Sequence, residues 1–227
     1  MRKTARVAGT VAFDLGGTLV DSAADLACAL NILLQERGLQ PMSLDGARAL
    51  IGHGMDVLVQ QAFGLQSSSL QGAELAAAVE RFEALYEADV AKLTVPYPGV
   101  LETLGKLADA GWDMVLCTNK RERHAVMILE AIDVRHRFRC VAGPDTFSAV
   151  KPDPRHLLKA LAPSPIDRSV FVGDSEVDAA PASAAGVPLV LLTYGYRKIP
   201  INKLHANGST AAFDDLPDLL PRLLKQA

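Results

Sequence analysis

Four short apolar runs constrain this chain more than any other feature: Val11–Phe13, Met114–Cys117, Val170–Val172 and Leu189–Leu192. None is interrupted by a polar residue, the pattern of strands buried on both faces of a sheet. Between them lie stretches with helical spacing. Leu101, Leu104 and Leu107 form one stripe, stopped by Gly111, and Val177–Ala185 is closed by Gly186. Further helices are expected from Arg123 to Ala131 and from Pro154 to Ala162, and Arg139–Ala142 reads as another strand. Pro98 is placed to open the helix after it, and Pro217 and Pro221 frame a short one near the end. Strands alternating with helices of this length predict an α/β fold, with a Rossmann-like parallel sheet covered on both faces.

The alternation fails after the first run. Ser22 can cap a helix, with Asp25 favouring its amino end, a stripe of Leu26, Leu30, Leu33 and Leu34, and Gly38 as its stop. Ser43 is a second cap candidate, before Leu44–Leu50. Ile51-Gly52-His53-Gly54 interrupts, Met55–Phe63 resumes the helical pattern, and a longer helix is expected from Gly72 to about Lys92. Val95-Pro96-Tyr97-Pro98-Gly99 then breaks the pattern again. Residues 20–95 therefore read as a helical module inserted into an α/β core made of residues 1–19 and 96–227.

Composition narrows the functional classes. The chain has 227 residues, 49% apolar and 22% charged, ordinary values for a protein with a substantial core. A net charge of −3 without a Lys/Arg run argues against a nucleic-acid footprint. The basic start Met1-Arg2-Lys3 is not followed by a long apolar segment, so no signal peptide or membrane anchor is expected. Cys28, Cys117 and Cys140 are too scattered for a zinc site or a disulfide framework, which suits reduced thiols and a cytoplasmic location.

Chemistry gathers where the apolar runs end. Val11–Phe13 runs into Asp14-Leu15-Gly16-Gly17-Thr18, where two glycines allow a sharp turn and a close approach to a ligand. Met114–Cys117 runs into Thr118-Asn119-Lys120, and Val170–Val172 into Gly173-Asp174-Ser175-Glu176-Val177-Asp178; Lys151-Pro152-Asp153-Pro154 lies in a loop. Singly, each has a plain structural reading: Thr118 or Asn119 a helix cap, Lys151 a solvated lysine, Asp14 and Asp174 turn residues. A parallel sheet changes the weighing, because it brings these strand ends to one edge, where such sheets bind ligands. There Asp14 and Asp174 can share a hard cation, Lys151 adds positive charge, and Thr118 with Asn119 donates hydrogen bonds. Those are parts for phosphoryl transfer.

These motifs, with Gly52-His53-Gly54-Met55, Pro96–Val100 and Thr193-Tyr194-Gly195-Tyr196, resemble the haloacid dehalogenase superfamily of phosphatases over nearly the whole chain, and within it the bacterial phosphoglycolate phosphatases. The resemblance implies a small phosphorylated metabolite as substrate and Mg²⁺ as cofactor. It makes Asp14 the nucleophile, assigns Thr118, Asn119 and Lys151 to the phosphoryl group, and gives Lys151 a catalytic role in offsetting the charge of Asp14. Mg²⁺ would be held by Asp14, the Gly16 carbonyl and Asp174, with Asp178 orienting bound waters, in keeping with its preference for oxygen ligands. The helical module would be a cap that closes over the substrate. Its His53 and Gly54 would face that substrate, although the same turn also reads as a plain helix–helix connector.

One position departs from the family pattern. Gly16 stands where these phosphatases carry a second aspartate, which protonates the leaving alkoxide and then activates water. Such general acid–base catalysis is worth roughly 10²–10⁴-fold in rate, or about 3–5 kcal/mol of barrier. Slow turnover is expected, with Asp21 and His53 the only substitutes suggested. Phosphonoacetaldehyde hydrolases lack this acid but use a cap lysine, and the module offers only Lys92 at its end. Dehalogenases do not need the retained Gly173-Asp174 pattern, and phosphomutases depend on the acid. The alternative from another class is a protein that captures a phosphate ester without turning it over.

Overall fold

A computed structural model describes residues 8–224; the basic start Met1–Lys3 lies outside them. In chain order the strands are β1 (Gly9–Phe13), β2 (Val20–Asp21), β3 (Val95–Pro96), β4 (Trp112–Cys117), β5 (Phe138–Ala142), β6 (Ser169–Gly173), β7 (Leu189–Leu192) and β8 (Gly208–Thr210). The helices are α1 (Ala23–Glu36), α2 (Leu44–Arg48), α3 (Met55–Gly64), α4 (Gly72–Ala88), α5 (Val100–Asp109), α6 (Glu122–Ala131), α7 (Pro154–Leu161), α8 (Glu176–Ala185) and α9 (Leu216–Leu224).

The chain divides into two compact units. One runs up to Val20 and resumes at Pro96; it carries a six-stranded sheet of order β5-β4-β1-β6-β7-β8, parallel at every pairing. The other is Asp21–Val95 and carries α1 to α4. β2 and β3, where the chain leaves and re-enters the sheet unit, pair as a two-stranded ribbon.

β1 is central and every one of its residues is buried, which is why Val11–Phe13 is an unbroken apolar run, while the polar Thr10 donates its hydroxyl to Ser164 at 2.7 Å. Fully burying a side chain such as Val11 or Phe13 contributes about 1.5–3 kcal/mol. Ala12, Val115 and Phe171 pack under Leu157 and Ala160 of α7 and Ala179 and Ala182 of α8. From the opposite face Phe13 stacks on Phe213 at 5.7 Å and meets Phe138 edge-on at 6.3 Å. In register, Phe13 pairs with Leu116 of β4 and Val172 of β6. The carboxyl ends of these strands therefore finish level, and the strand order reverses beside β1, where open α/β sheets form their crevice.

The helical unit has its own interior of Leu30, Leu33, Phe63, Phe82 and Tyr86, all buried, with Phe82 and Tyr86 stacked at 6.2 Å. α1 starts after Ser22 as expected, but the Ser22 side chain makes no capping bond; Asp21 Oδ1 accepts the Ala23 N–H instead, at 3.1 Å. Asp25 lies in the first turn of α1, as expected, and has a further task. Its buried carboxylate accepts the Leu93 N–H at 2.9 Å and the Thr94 hydroxyl at 2.7 Å, tying α1 to the segment before β3. Ser43 caps α2, accepting the Gly46 N–H at 3.1 Å.

Three details differ from expectation. α5 begins at Val100 after a left-handed Gly99 (φ +81°), so Pro98 precedes the turn and does not open the helix. Pro221 lies inside α9, where its missing N–H leaves the Pro217 carbonyl without a helical partner. β8 is absent from the sequence pattern because it is a short edge strand whose first two residues are not buried. Among the described residues no helix is long and apolar enough to cross a membrane.

Candidate active site

Asp14 follows β1 directly, and its N–H donates to the Val172 carbonyl at 3.0 Å, so the last rung of the sheet fixes its backbone. The chain then folds back on itself. The Leu19 and Val20 N–H groups both donate to the Leu15 carbonyl, at 2.8 and 3.0 Å, and Gly17 takes φ +90°, a region open to glycine at little cost. A Cβ on Gly17 would stand 2.6 Å from Asp174 Oδ2, so the turn passes against that carboxylate. Thr18, fully buried, donates its hydroxyl to Asp174 Oδ1 at 3.0 Å.

Asp174 and Asp178 come from the end of β6 and the first turn of α8. Asp178 Oδ2 accepts from the Asp174 N–H at 3.1 Å, the Ser175 N–H at 3.2 Å and the Ser175 hydroxyl at 3.1 Å. Its Oδ1 meets Lys151 Nζ at 2.7 Å. Gly173 is required here, because a Cβ would stand 2.5 Å from the Asp178 Cβ.

Lys151 arrives on the loop between β5 and α7, ahead of a cis bond to Pro152. Its ammonium lies 2.9 Å from Asp14 Oδ1 and 5.5 Å from the centre of the Phe171 ring. Asn119 donates Nδ2 to the Lys151 carbonyl at 3.0 Å, which fastens the lysine loop to the end of β4. Thr118, also buried, donates its N–H to the Ala142 carbonyl at 2.9 Å, and its hydroxyl oxygen accepts the Lys120 N–H at 3.3 Å.

The electrostatics follow from burial. Asp14, Asp174 and Asp178 each offer a carboxylate oxygen within 4.8 Å of the others. Removal from water pushes the Asp14 carboxyl above its usual range and Asp178 adds to this, while Lys151 pulls it back. Asp174 is raised well above its ordinary value, by burial first and then by Asp178 and Asp14. Burial acts against the Lys151 ammonium, but the carboxylates on either side outweigh it and raise its pKa. One ammonium set against three carboxylates leaves negative charge uncompensated. A buried, all-oxygen donor set with excess negative charge fits a hard divalent cation such as Mg²⁺.

A model of the haloacid dehalogenase-like hydrolases matches residues 11–192. The chain belongs to this family. Among its haloacid dehalogenase-like relatives, a phosphoglycolate phosphatase from Caulobacter vibrioides is 40% identical over 217 residues, covering 95% of this chain and 92% of that protein. One from Cereibacter sphaeroides is 41% identical over 214 residues, with coverage of 94% and 98%. The crystal structure of a predicted phosphoglycolate phosphatase from Haemophilus somnus aligns with a TM-score of 0.88 and 31% identity, over 93% of this chain and 97% of that one.

Of the residues singled out in the sequence of this haloacid dehalogenase-like hydrolase, Asp14, Lys151, Asp174 and Asp178 form one buried cluster, with Asn119 bonded to its lysine. Gly16 sits in the turn after Asp14, and the residue is half-buried. His53 and Gly54 belong to the helical unit, where His53 is exposed and Gly54 precedes α3. Asp21 accepts from the Ala23 N–H and from Arg48, both within that unit. Lys92 is exposed and paired with Asp89 at 3.0 Å. Sequence reasoning assigned no role to Thr18, Ser175 or the loop after β7, whose Tyr196 N–H donates to Asp174 Oδ2 at 2.7 Å. The signal for that loop was available: Thr193–Tyr196 follows an apolar run, as the other site motifs do.

Proposed function

We propose that this chain is a Mg²⁺-dependent phosphomonoester hydrolase that acts through an aspartyl-phosphate on a small phosphorylated metabolite, with 2-phosphoglycolate the first candidate. The observation that carries this reading is the ion pair of Asp14 with Lys151, buried beside Asp174 and Asp178 at the level ends of β1 and β6. The names of relatives about 40% identical support the substrate.

Asp14 is the nucleophile. One of its oxygens attacks phosphorus, the bond from phosphorus to the ester oxygen breaks, and water gives the departing alkoxide its proton because Gly16 offers none. A second water then attacks the aspartyl-phosphate, releasing orthophosphate and restoring the carboxylate. Two anions must meet in the first step, so their repulsion has to be offset. Lys151 supplies part of that positive charge, and the Thr118 hydroxyl donates to the transferred group. Asn119 holds the lysine loop and brings its amide to the same edge. Asp14, the Gly16 carbonyl and Asp174 would hold Mg²⁺, with Asp178 behind them orienting waters. When bound, the ion neutralises phosphoryl charge and orients the group. The helical unit, Asp21–Val95, acts as the cap that excludes water, with His53 and Gly54 facing the substrate.

Gly16 favours a second reading, in which the chain captures a phosphate ester and does not turn it over. Steady-state phosphate release separates the two. A panel of small phosphomonoesters and one phosphonate, with and without Mg²⁺, is expected to show slow Mg²⁺-dependent release beyond one equivalent, greatest for 2-phosphoglycolate and abolished in Asp14→Asn. Release that stops at or below one equivalent selects the binder. Release unaffected by Asp14→Asn removes the proposed nucleophile.

A further inference from the structure

Both carboxylate oxygens of Asp174 are held from outside its own motif. The Thr18 hydroxyl donates to Oδ1 at 3.0 Å, and the Tyr196 N–H donates to Oδ2 at 2.7 Å. The second donor lies in the loop after β7, which passes so close that a Cβ on Gly195 (φ +99°) would stand 2.3 Å from that oxygen. A backbone N–H can aim at one carboxylate oxygen only if its loop is fixed. Arg197 does the fixing. Its Nη1 donates to the Asp174 carbonyl at 3.3 Å and the Leu192 carbonyl at 3.2 Å, and its Nη2 to the Thr193 carbonyl at 3.2 Å. The Lys198 N–H adds a bond to Glu176 at 3.3 Å.

We propose that Arg197 is a positioning residue of the cation site: its guanidinium spans the carbonyls of Asp174, Leu192 and Thr193 and so holds the Tyr196 N–H on the Asp174 carboxylate. This rests on the reading of Asp174 as a Mg²⁺ ligand. The guanidinium suits the task because it is planar, always charged and presents several donors in a rigid fork; a lysine offers a single flexible point. Without the fork, three carbonyls lose a donor, the loop relaxes, and Asp174 keeps only the Thr18 hydroxyl against the repulsion of Asp14 and Asp178. Partners behind a metal ligand are worth about 10–100-fold in metal affinity.

The test is calorimetric titration of Mg²⁺ into the full chain and three variants, Arg197→Ala, Arg197→Lys and Arg139→Ala, each also melted thermally. Arg139→Ala is the control for lost stability: it removes a guanidinium bonded to the Ala162 and Leu161 carbonyls and to Asp113. Arg197→Ala is expected to weaken Mg²⁺ binding about tenfold or more, and Arg197→Lys to recover only part of it. Arg139→Ala should lower the melting temperature with Mg²⁺ affinity unchanged. Mg²⁺ affinity at the parent level in both Arg197 variants overturns the proposal, as does equal weakening in Arg139→Ala. If Arg197→Ala does not fold, Arg197→Lys decides alone. If the parent chain takes up no Mg²⁺, the metal reading itself has failed and the role of Arg197 falls with it.

Discussion

Lys151 Nζ lies 2.9 Å from Asp14 Oδ1, and only 1% of the lysine side chain is exposed. Two charges held this far from water are costly unless each is well partnered. The lysine gains its second partner in Asp178, and the remaining carboxylate charge makes the cluster a place for a cation. Lys151→Met is expected to remove phosphate release and to destabilise the fold by about 3–5 kcal/mol, the usual effect of breaking a buried pair from one side. Urea melts measure the second effect, and added Mg²⁺ should recover part of it.

Gly16→Asp is expected to raise steady-state phosphate release by roughly 10²–10⁴-fold, the contribution of a general acid–base. The backbone permits the change: among the described residues Gly17 has a positive φ and Gly16 does not. Parallel assays of parent and variant on 2-phosphoglycolate check it. An unchanged rate would refute the missing acid as the cause of slow turnover.

His156 carries a pH dependence. The residue is fully buried on α7, with the backbone of Ala149, Thr118 and Ala142 against its ring. Burial first, and then the Lys151 ammonium, hold its pKa below the ordinary 6.5. Above that value the histidine is neutral in both states and its contribution to stability is complete. As pH falls below 6.5, the unfolded chain takes up a proton that the folded chain resists, so stability is lost. Relative to the parent, His156→Leu is expected to gain stability as the pH is lowered from 7.5 to about 5.5. Thermal melts of the two proteins at both pH values measure this.

Within the helical unit, Asp25→Ala removes the acceptor of the Leu93 N–H and the Thr94 hydroxyl. Thr94 is buried, and a buried donor left without an acceptor costs about 1–3 kcal/mol. The variant is expected to shift the denaturation midpoint by a corresponding amount, while Asp25→Asn, which keeps an amide oxygen, shifts it less.

The fold was legible wherever burial wrote a pattern. β1, β4, β6 and β7 are apolar because helices cover both faces of the sheet, and Leu189–Leu192 was bounded correctly from that alone. β2, β3 and β8 are two- or three-residue pieces, none buried throughout, and too short to set a period. In the site, Asp14, Lys151 and Asp174 were legible as polar tips on a parallel edge. The tasks of their neighbours were not. Asp25 read as a helix-end carboxylate with no sign of its bonds to Leu93 and Thr94, and nothing in the sequence singled out Arg197 for the three carbonyls it bridges. Leu93, Thr94 and Asp174 stand too far along the chain from the residues they meet to leave a local trace.

β1 leaves the ribosome before the other strands of its sheet, yet it sits inside that sheet, between Trp112–Cys117 and Ser169–Gly173. Until those segments are synthesised, Val11–Phe13 is an apolar ribbon with two open edges, the kind of surface that sticks to other chains. Asp14 likewise waits for its counter-ion, since Lys151 emerges much later. Asp21–Val95, continuous in sequence, can condense meanwhile. A nascent chain stalled before Ser169 thus carries Asp14 on an unsheltered strand, and shielding by chaperones matters most during that interval.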